Sequence, residues 1–352
     1  MIRVLLIGPL PPPMGGDTRH FAQLAADLAA HVGFAVRVVN TSRGAAHSDP
    51  WHNLVAGVRT IAALIRNLHR SDVVSFHASD RGMVLVGPWI VGLSKLVGRP
   101  VILRMFGGSF GDFWSARGAF VRAWLRRTVF AADVVLLQTR RMIGQLRGQG
   151  ASELVWFSTY IRRIPPPADL PARKSPHCRR LVFLGHLWRT KGVETLLEAA
   201  PHLPDGVTVD LFGPLDEYTP EMLRERGAGR VTYRGFLSHD EVEKTLWNYD
   251  CLVLPTFHPG EGYPGVIAEA FAHGLPVIST RWLAIPEIVD ESCGILIEPG
   301  DTAGLVAAIR AMHGDAPRWL RMKQAAQERA AQFDHEVWAR KFESLCANLM
   351  AS

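Results

Sequence analysis

Two glutamates set eight residues apart carry the strongest chemical signal in the chain. Glu261 stands in the loop Thr256-Phe-His-Pro-Gly-Glu261-Gly-Tyr-Pro264, directly after the apolar run Cys251-Leu-Val-Leu-Pro255. Glu269 falls in the second turn of a helix expected to start near Gly265 and to end at Gly274, before the next strand opens at Pro276. On that spacing both carboxylates face a ligand held at the end of the strand. The amides of Gly265 and Val266 open the helix and have no acceptor within it, and the helix dipole there favours anions. A diphosphate can sit on such a helix start without a metal ion.

These groups need rigid elements to hold them, and the chain supplies a regular alternation. Short β-branched runs occur at Val4–Gly8, Val36–Asn40, Val73–His77, Val101–Met105 and Val134–Thr139. They recur at Leu181–Gly185, Val207–Phe212, Val231–Gly235, Cys251–Pro255, Pro276–Ser279 and Gly294–Ile297. The runs are nearly continuous in apolar residues, as parallel strands covered on both faces require. Helical patterns lie between them: Phe21, Leu24, Ala25 and Leu28 follow the i, i+3, i+4, i+7 spacing. The fold class expected is α/β, with two doubly wound Rossmann-like domains facing each other across a cleft.

Residues 1–165 form the first domain on this reading. A proline-rich linker follows at 166–178, then a second domain at 179–332. The segment 333–352 is a final helix, with Phe333, Val337, Phe342, Leu345 and Leu349 apolar, that can cap either domain.

The segment Glu261-Gly-Tyr-Pro-Gly-Val-Ile-Ala-Glu269-Ala-Phe-Ala-His-Gly-Leu-Pro-Val resembles the E-x7-E signature of family-4 retaining glycosyltransferases of the GT-B fold. Three neighbouring blocks support the resemblance: Leu184-Gly-His-Leu-Trp-Arg-Thr-Lys191-Gly192, Arg234-Gly-Phe-Leu-Ser-His-Asp-Glu241, and Ile285 to Gly300. It covers residues 180–300 closely and the first domain more loosely. An acceptor side for the first domain and nucleotide-sugar binding for the second are implied. It implies that Glu269 hydrogen-bonds the ribose of a nucleotide-sugar donor and that Glu261 contacts the transferred sugar. The backbone of Gly262, Tyr263, Pro264, Gly265 and Val266 lies beside sugar and phosphates. Lys191 matches the family's phosphate-binding lysine, whose point charge balances the leaving diphosphate. The family's partner arginine is replaced here by His186, and Arg189 is the nearby candidate for the missing guanidinium.

In the first domain the loop Gly8 to Gly16 follows the first strand. Its Gly15-Gly16 pair permits close backbone approach, and the family uses this loop near the reacting centre. A histidine of the family after the fourth strand is replaced by Phe106. The sugar-side candidates are then Gly107, Gly108 and Ser109, with His77 at the end of the third strand.

The resemblance implies transfer with retention of anomeric configuration. No Asp-x-Asp metal motif occurs, and neither a metal nor another cofactor is expected. A UDP-sugar is the favoured donor; the acceptor is a glycan, a lipid-linked sugar or a small molecule. Cell-surface polysaccharide or glycolipid synthesis is the expected setting. Two rival readings stay open: a GT-B-fold sugar-nucleotide epimerase, and a non-catalytic sugar-nucleotide-binding protein. A dinucleotide-dependent dehydrogenase is disfavoured, since no Gly-x-Gly-x-x-Gly follows the first strand. Nucleic acid is not an expected partner.

Composition bounds where such a protein works. Four cysteines lie far apart with no ligand-like spacing, which fits a reducing cytoplasm. The longest apolar stretch, Met83 to Val97, is broken by Gly87, Pro88, Gly92 and Lys95, and falls short of the ~20 residues a membrane span needs. The net charge of +6 is unevenly spread. Residues 1–175 hold 22 Lys/Arg against 9 Asp/Glu, leaving 17 against 24 in the rest. Helical spacing over Arg117 to Arg127 places Phe120, Val121, Trp124 and Leu125 on one side and Arg122 and Arg126 on another. Such a basic amphipathic helix predicts peripheral binding of the first domain to an anionic membrane surface, weakening as salt rises.

Overall fold

A computed structural model describes every residue except 13–14, 43–49, 151, 164, 167–176 and 352, and every side chain of the described residues except those of Pro50, His52 and His239. Most of the expected linker at 166–178 therefore lies outside the described residues. The chain divides into two units, Met1–Tyr160 with His335–Ser352, and Ile161–Asp334. Each is built on its own six-stranded parallel sheet.

The first sheet contains β1 (Ile2–Gly8), β2 (Phe34–Asn40), β3 (Val73–Ala78), β4 (Val101–Met105), β5 (Val134–Leu137) and β6 (Glu153–Trp156), in the order β2-β1-β3-β4-β5-β6. Side chains alternate across it, as the period of two demands. Leu5, Ile7, Val74, Leu103 and Val135 enter one buried cluster, while Val4, Leu6, Val73, Ile102 and Val134 enter another on the opposite face. Five of these strands answer to runs expected from the sequence. β6 does not: its four residues begin with an exposed glutamate and offer too short an apolar run to stand out. It closes the edge of the sheet by pairing with β5 alone.

The second sheet contains β7 (Arg180–Leu184), β8 (Thr208–Phe212), β9 (Val231–Gly235), β10 (Cys251–Leu254), β11 (Val277–Thr280) and β12 (Gly294–Ile297), in the order β12-β11-β10-β7-β8-β9. All six coincide with expected runs. The fold class is thus α/β with two doubly wound units, as expected.

The final helix, His335–Ala351, packs into the first unit. Trp338, Phe342, Leu345 and Cys346 join the cluster containing Phe21 and Phe157. One detail of its expected apolar stripe is corrected. The helix begins at His335, after a short turn that leaves Phe333 against Phe271 of the second unit. Val337 consequently points outward, and Trp338 takes the inner position.

Candidate functional site

In open α/β sheets ligands bind beyond the carboxyl ends of the strands, where adjacent strands send their connections to opposite sides. In the second unit that switch point lies between β7 and β10, which pair directly while their sequence neighbours run outward to either edge. The loops after these two strands carry Lys191 and Glu261.

The two loops are fastened to each other. Residues Arg189–Lys191 form one 3-10 turn that ends at Gly192, with φ +85°. A side chain at Gly192 would start 2.2 Å from the Pro255 carbonyl oxygen. Backbone conformation and packing both therefore require glycine. Next to this contact the Phe257 N–H donates to the Thr190 carbonyl (2.7 Å). Thr190 Oγ1 shares a hydrogen bond with His258 Nδ1 (3.1 Å).

Clamped in this way, Lys191 Nζ donates to Glu261 Oε2 at 2.7 Å, with side-chain exposures of 16% and 9%. Thr256 Oγ1 donates to the same carboxylate oxygen (2.9 Å). The burial is deep enough for this charge pair to escape most solvent screening.

The loop continues into the helix Gly265–Ala272, whose cap, Pro264, offers no side-chain acceptor. Among the described residues no acceptor meets the amides of Gly265 and Val266. Tyr263 is buried and its hydroxyl donates to Glu287 Oε2, while Trp282 Nε1 donates to the His258 carbonyl (2.8 Å). These bonds hold the loop from Gly262 to Pro264 over the strand ends. Glu269 is buried in the second turn of the helix, 5% exposed.

The structure separates Arg189 from the Lys191–Glu261 pair. Its side chain is exposed and acts electrostatically on Glu194 and Tyr218, and its backbone N–H is held by Glu217 Oε2 (2.6 Å). His186 instead starts an aromatic ladder. It stacks on Trp188 at 4.5 Å and shares a hydrogen bond with Asp216 (2.8 Å), and Trp188 leans on His258 at 5.2 Å. Burial, then the charge of Lys191, holds His258 below the usual histidine range.

The first unit has its own switch point, between β1 and β3. The loop after β1 reaches Gly15 and Gly16. Gly15 is extended, and Thr18 Oγ1 accepts its N–H (3.0 Å). A side chain on Gly16 would meet nothing within 4 Å. Asp17 follows in the first turn of the helix Gly16–Ala30, and Asp80 stands just after β3.

Burial foremost, with a smaller contribution from Asp80, pushes the Asp17 carboxyl up to about 6, against the pull of Arg104. Asp80 is also raised by burial; one of its oxygens accepts from Ser109 Oγ (2.5 Å), and the other is buried without a partner. Spacing rules singled out neither aspartate, though each stands in the first turn of the helix that follows a strand at the switch point, which is the signal that finds them. The Gly107 amide is already donated to Gln138 (2.9 Å), and Gly108 is buried.

His77 requires a correction. Its ring is fully buried among Phe21, Phe106 and Phe342, and Nε2 bonds Ser75 Oγ (2.8 Å). Strand alternation turns it into the core, so it reaches no ligand. Burial, aided by Arg104, holds it well below the usual histidine range and therefore neutral.

The first unit also contains a groove of about 610 Å³ beside the end of β2, lined by Asn40, Ser42, Val55, Arg59 and Thr60 among others. Among the described residues no group of three or more His, Cys, Asp or Glu is arranged to hold a metal ion.

Residues 178–315 match the family described as Glycosyl transferases group 1. The chain is similar to the glycogen synthase of Mycobacterium tuberculosis, 28% identical over 229 residues that make up 62% of this chain and 54% of that protein. It spans about half the length of the curated relatives it matches. Among solved structures it is similar to sucrose-phosphate synthase from Thermosynechococcus elongatus, with a TM-score of 0.79 at 19% identity over 100% of both chains. It is similar also to Anabaena HepE in complex with UDP, with a TM-score of 0.75 at 16% identity over 99% of this chain and 100% of that one.

Proposed function

We propose, from the match of residues 178–315 to the Glycosyl transferases group 1 family, that this protein moves a sugar from a nucleotide-sugar to an acceptor hydroxyl. The observation that carries the reading is the Lys191–Glu261 pair, held at the β7/β10 switch point on the loop that enters the free amides of Gly265 and Val266. That combination suits a diphosphate leaving group beside a polyhydroxylated ring.

In this reading Lys191 and the two amides take up the charge that develops on the diphosphate as the C1–O bond breaks. Preorganised donors in a shielded site are worth far more than the same groups in water. Glu261 orients sugar hydroxyls and keeps Lys191 in place until the phosphates arrive. Glu269, buried one turn into the helix, takes the ribose hydroxyls. Arg189, exposed and turned toward Glu194, is left outside the catalytic set.

The acceptor hydroxyl attacks from the face that the leaving group departs, giving retention, and the departing phosphate removes its proton. The donor is a UDP-sugar, in keeping with the UDP bound to HepE. The Gly15–Gly16 loop supports close approach to the donor, because among the described residues no atom fills the space a side chain at Gly16 would occupy. Ser109, tied to Asp80, belongs to the sugar or acceptor side. The acceptor is a glycan, a lipid-linked sugar or a small molecule, and the four buried free thiols fit work in a reducing cytoplasm.

A donor panel read by released nucleotide and by product anomer tests this. Transfer with retention, undiminished by EDTA, is the expected result. An epimerised donor identifies the epimerase, and binding without turnover identifies a sensor. Loss of turnover in chelator, restored by magnesium or manganese, overturns the metal-free reading.

A further inference from the structure

One side of the first unit is apolar and basic at once. Three neighbouring helices cover the same face of the first sheet: Pro50–Asn67, Gly87–Leu96 and Ala119–Arg127. Gly57 packs beside Val86 (3.8 Å from an added methyl), which caps the second helix, and Gly87 packs beside Val129 (3.6 Å), in the short turn that follows the third. Their inner positions, Leu64, Ile90, Val91 and Leu125, share one buried cluster. Helical periodicity then turns the remaining large apolar side chains outward. Phe120 is 86% exposed, Leu96 81%, Trp51 70% and Trp89 58%, and Leu54, Val58 and Trp124 are exposed as well.

Helix Ala119–Arg127 resolves its expected apolar side into two. Val121 and Leu125 pack inward, while Phe120 and Trp124 face solvent.

The charge on these helices has one sign. Together they contain no aspartate or glutamate, and they carry Arg59, Arg66, Lys95, Arg122, Arg126 and Arg127. Lys95 pairs with Asp133 and Arg126 donates to Gln149, whereas among the described residues Arg59, Arg122 and Arg127 have no carboxylate partner. In the second unit the helices Pro220–Arg226 and His239–Leu246 mix both signs.

We infer that this three-helix face is a docking surface for an anionic lipid bilayer. Exposed Trp and Phe flanked by arginines suit the headgroup boundary, where aromatic rings and guanidinium groups both find their preferred surroundings. A second copy of the same face would set arginines against arginines, which disfavours self-association. A nucleic acid would meet the arginines but leave Leu54, Val58 and Leu96 against phosphate. Attachment is peripheral, since no helix among the described residues is long and apolar enough to cross a membrane. The inference needs nothing of the second unit's chemistry.

The test is co-flotation of the whole protein with vesicles of phosphatidylglycerol and phosphatidylcholine against phosphatidylcholine alone, at low and high salt. Binding to the anionic vesicles should be at least tenfold stronger and should fall as salt rises. The triple variant Trp89→Ser, Phe120→Ser, Trp124→Ser and the double variant Arg122→Glu, Arg127→Glu should each weaken it about tenfold, with UDP binding unchanged. If the triple variant misfolds, Phe120→Ser alone, at the most exposed position, should still give a measurable loss. Equal partition to both vesicle types, no binding at low salt, wild-type flotation of the variants, or dimerisation through this face overturns the inference. Vesicle binding with no donor turnover would leave it standing and count against the transferase reading.

Discussion

The two units solve the same architectural problem and leave different things at their switch points. In the second, the loops after β7 and β10 close on each other, and the charged groups are already paired: Lys191 with Glu261, both largely buried, with Gly192 pressed on Pro255. In the first, the loops after β1 and β3 leave room. Among the described residues, a side chain on Gly16 would meet open space, and one oxygen of Asp80 is buried without a partner. A site whose own groups satisfy each other is preorganised for a ligand of fixed charge pattern, such as a diphosphate. A site with open acceptors and a proton near neutrality suits a ligand that brings hydroxyls. The difference fits the proposal that the donor's diphosphate is held by the second unit.

Lys191→Ala tests the preorganised half most severely. It strands Glu261 and, in the proposed mechanism, removes the main leaving-group cation, so kcat should fall by about 100- to 1,000-fold in the donor assay. A change below tenfold would separate this pair from the chemistry.

The glycines test the same contrast through stability. Gly192→Ala combines a left-handed backbone with a 2.2 Å overlap on the Pro255 carbonyl. It should cost about 3 kcal/mol or more in urea unfolding. Gly16→Ala meets nothing and should stay within ~1 kcal/mol of wild type. Similar losses at both positions would mean that the first loop is as closely packed as the second.

Glu269→Ala should weaken UDP binding by ~1.5–3 kcal/mol through loss of a buried, charge-assisted hydrogen bond. Calorimetric titration reads this directly, and an unchanged affinity removes Glu269 from the ribose role.

The smallest effect belongs to Asp17. Its folded carboxyl is raised from an ordinary 3.8 to about 6, so the folded state binds this proton more tightly than the unfolded chain. The stability it contributes is present below pH 4 and lost as pH rises through 6. Asp17→Asn should therefore match wild type near pH 3.5 and exceed it at pH 7, by about 1 kcal/mol once partial exposure is discounted. A constant difference across that range would show that Asp17 titrates normally.

Much of this was legible in the sequence, for a physical reason. Strands buried on both faces must be continuously apolar, and eleven runs of that kind announce eleven strands. Glu261 and Glu269 could be singled out because spacing along one loop and one helix fixes where they stand, and Lys191 because its block resembles the family's phosphate-binding segment. What the sequence hid depends on pairing between distant segments. That Thr256 and Lys191 would share one oxygen of Glu261 follows from strand order, which local patterns do not specify. His77 looked available because it ends a strand, yet one step of alternation turns it into the core. Val337 was misjudged because the helix starts two residues later than its apolar spacing suggests.

The central claim is that the diphosphate binds the helix start after β10 rather than the glycine loop after β1. Hydrogen exchange of the whole protein, with and without saturating UDP, tests it most directly. Protection should appear in peptides spanning 261–269 and 189–193, because the amides of Gly265 and Val266 gain the acceptor they now lack. Peptides spanning 50–67 should exchange as before. Protection confined to residues 8–20, with 261–269 unchanged, would contradict the account.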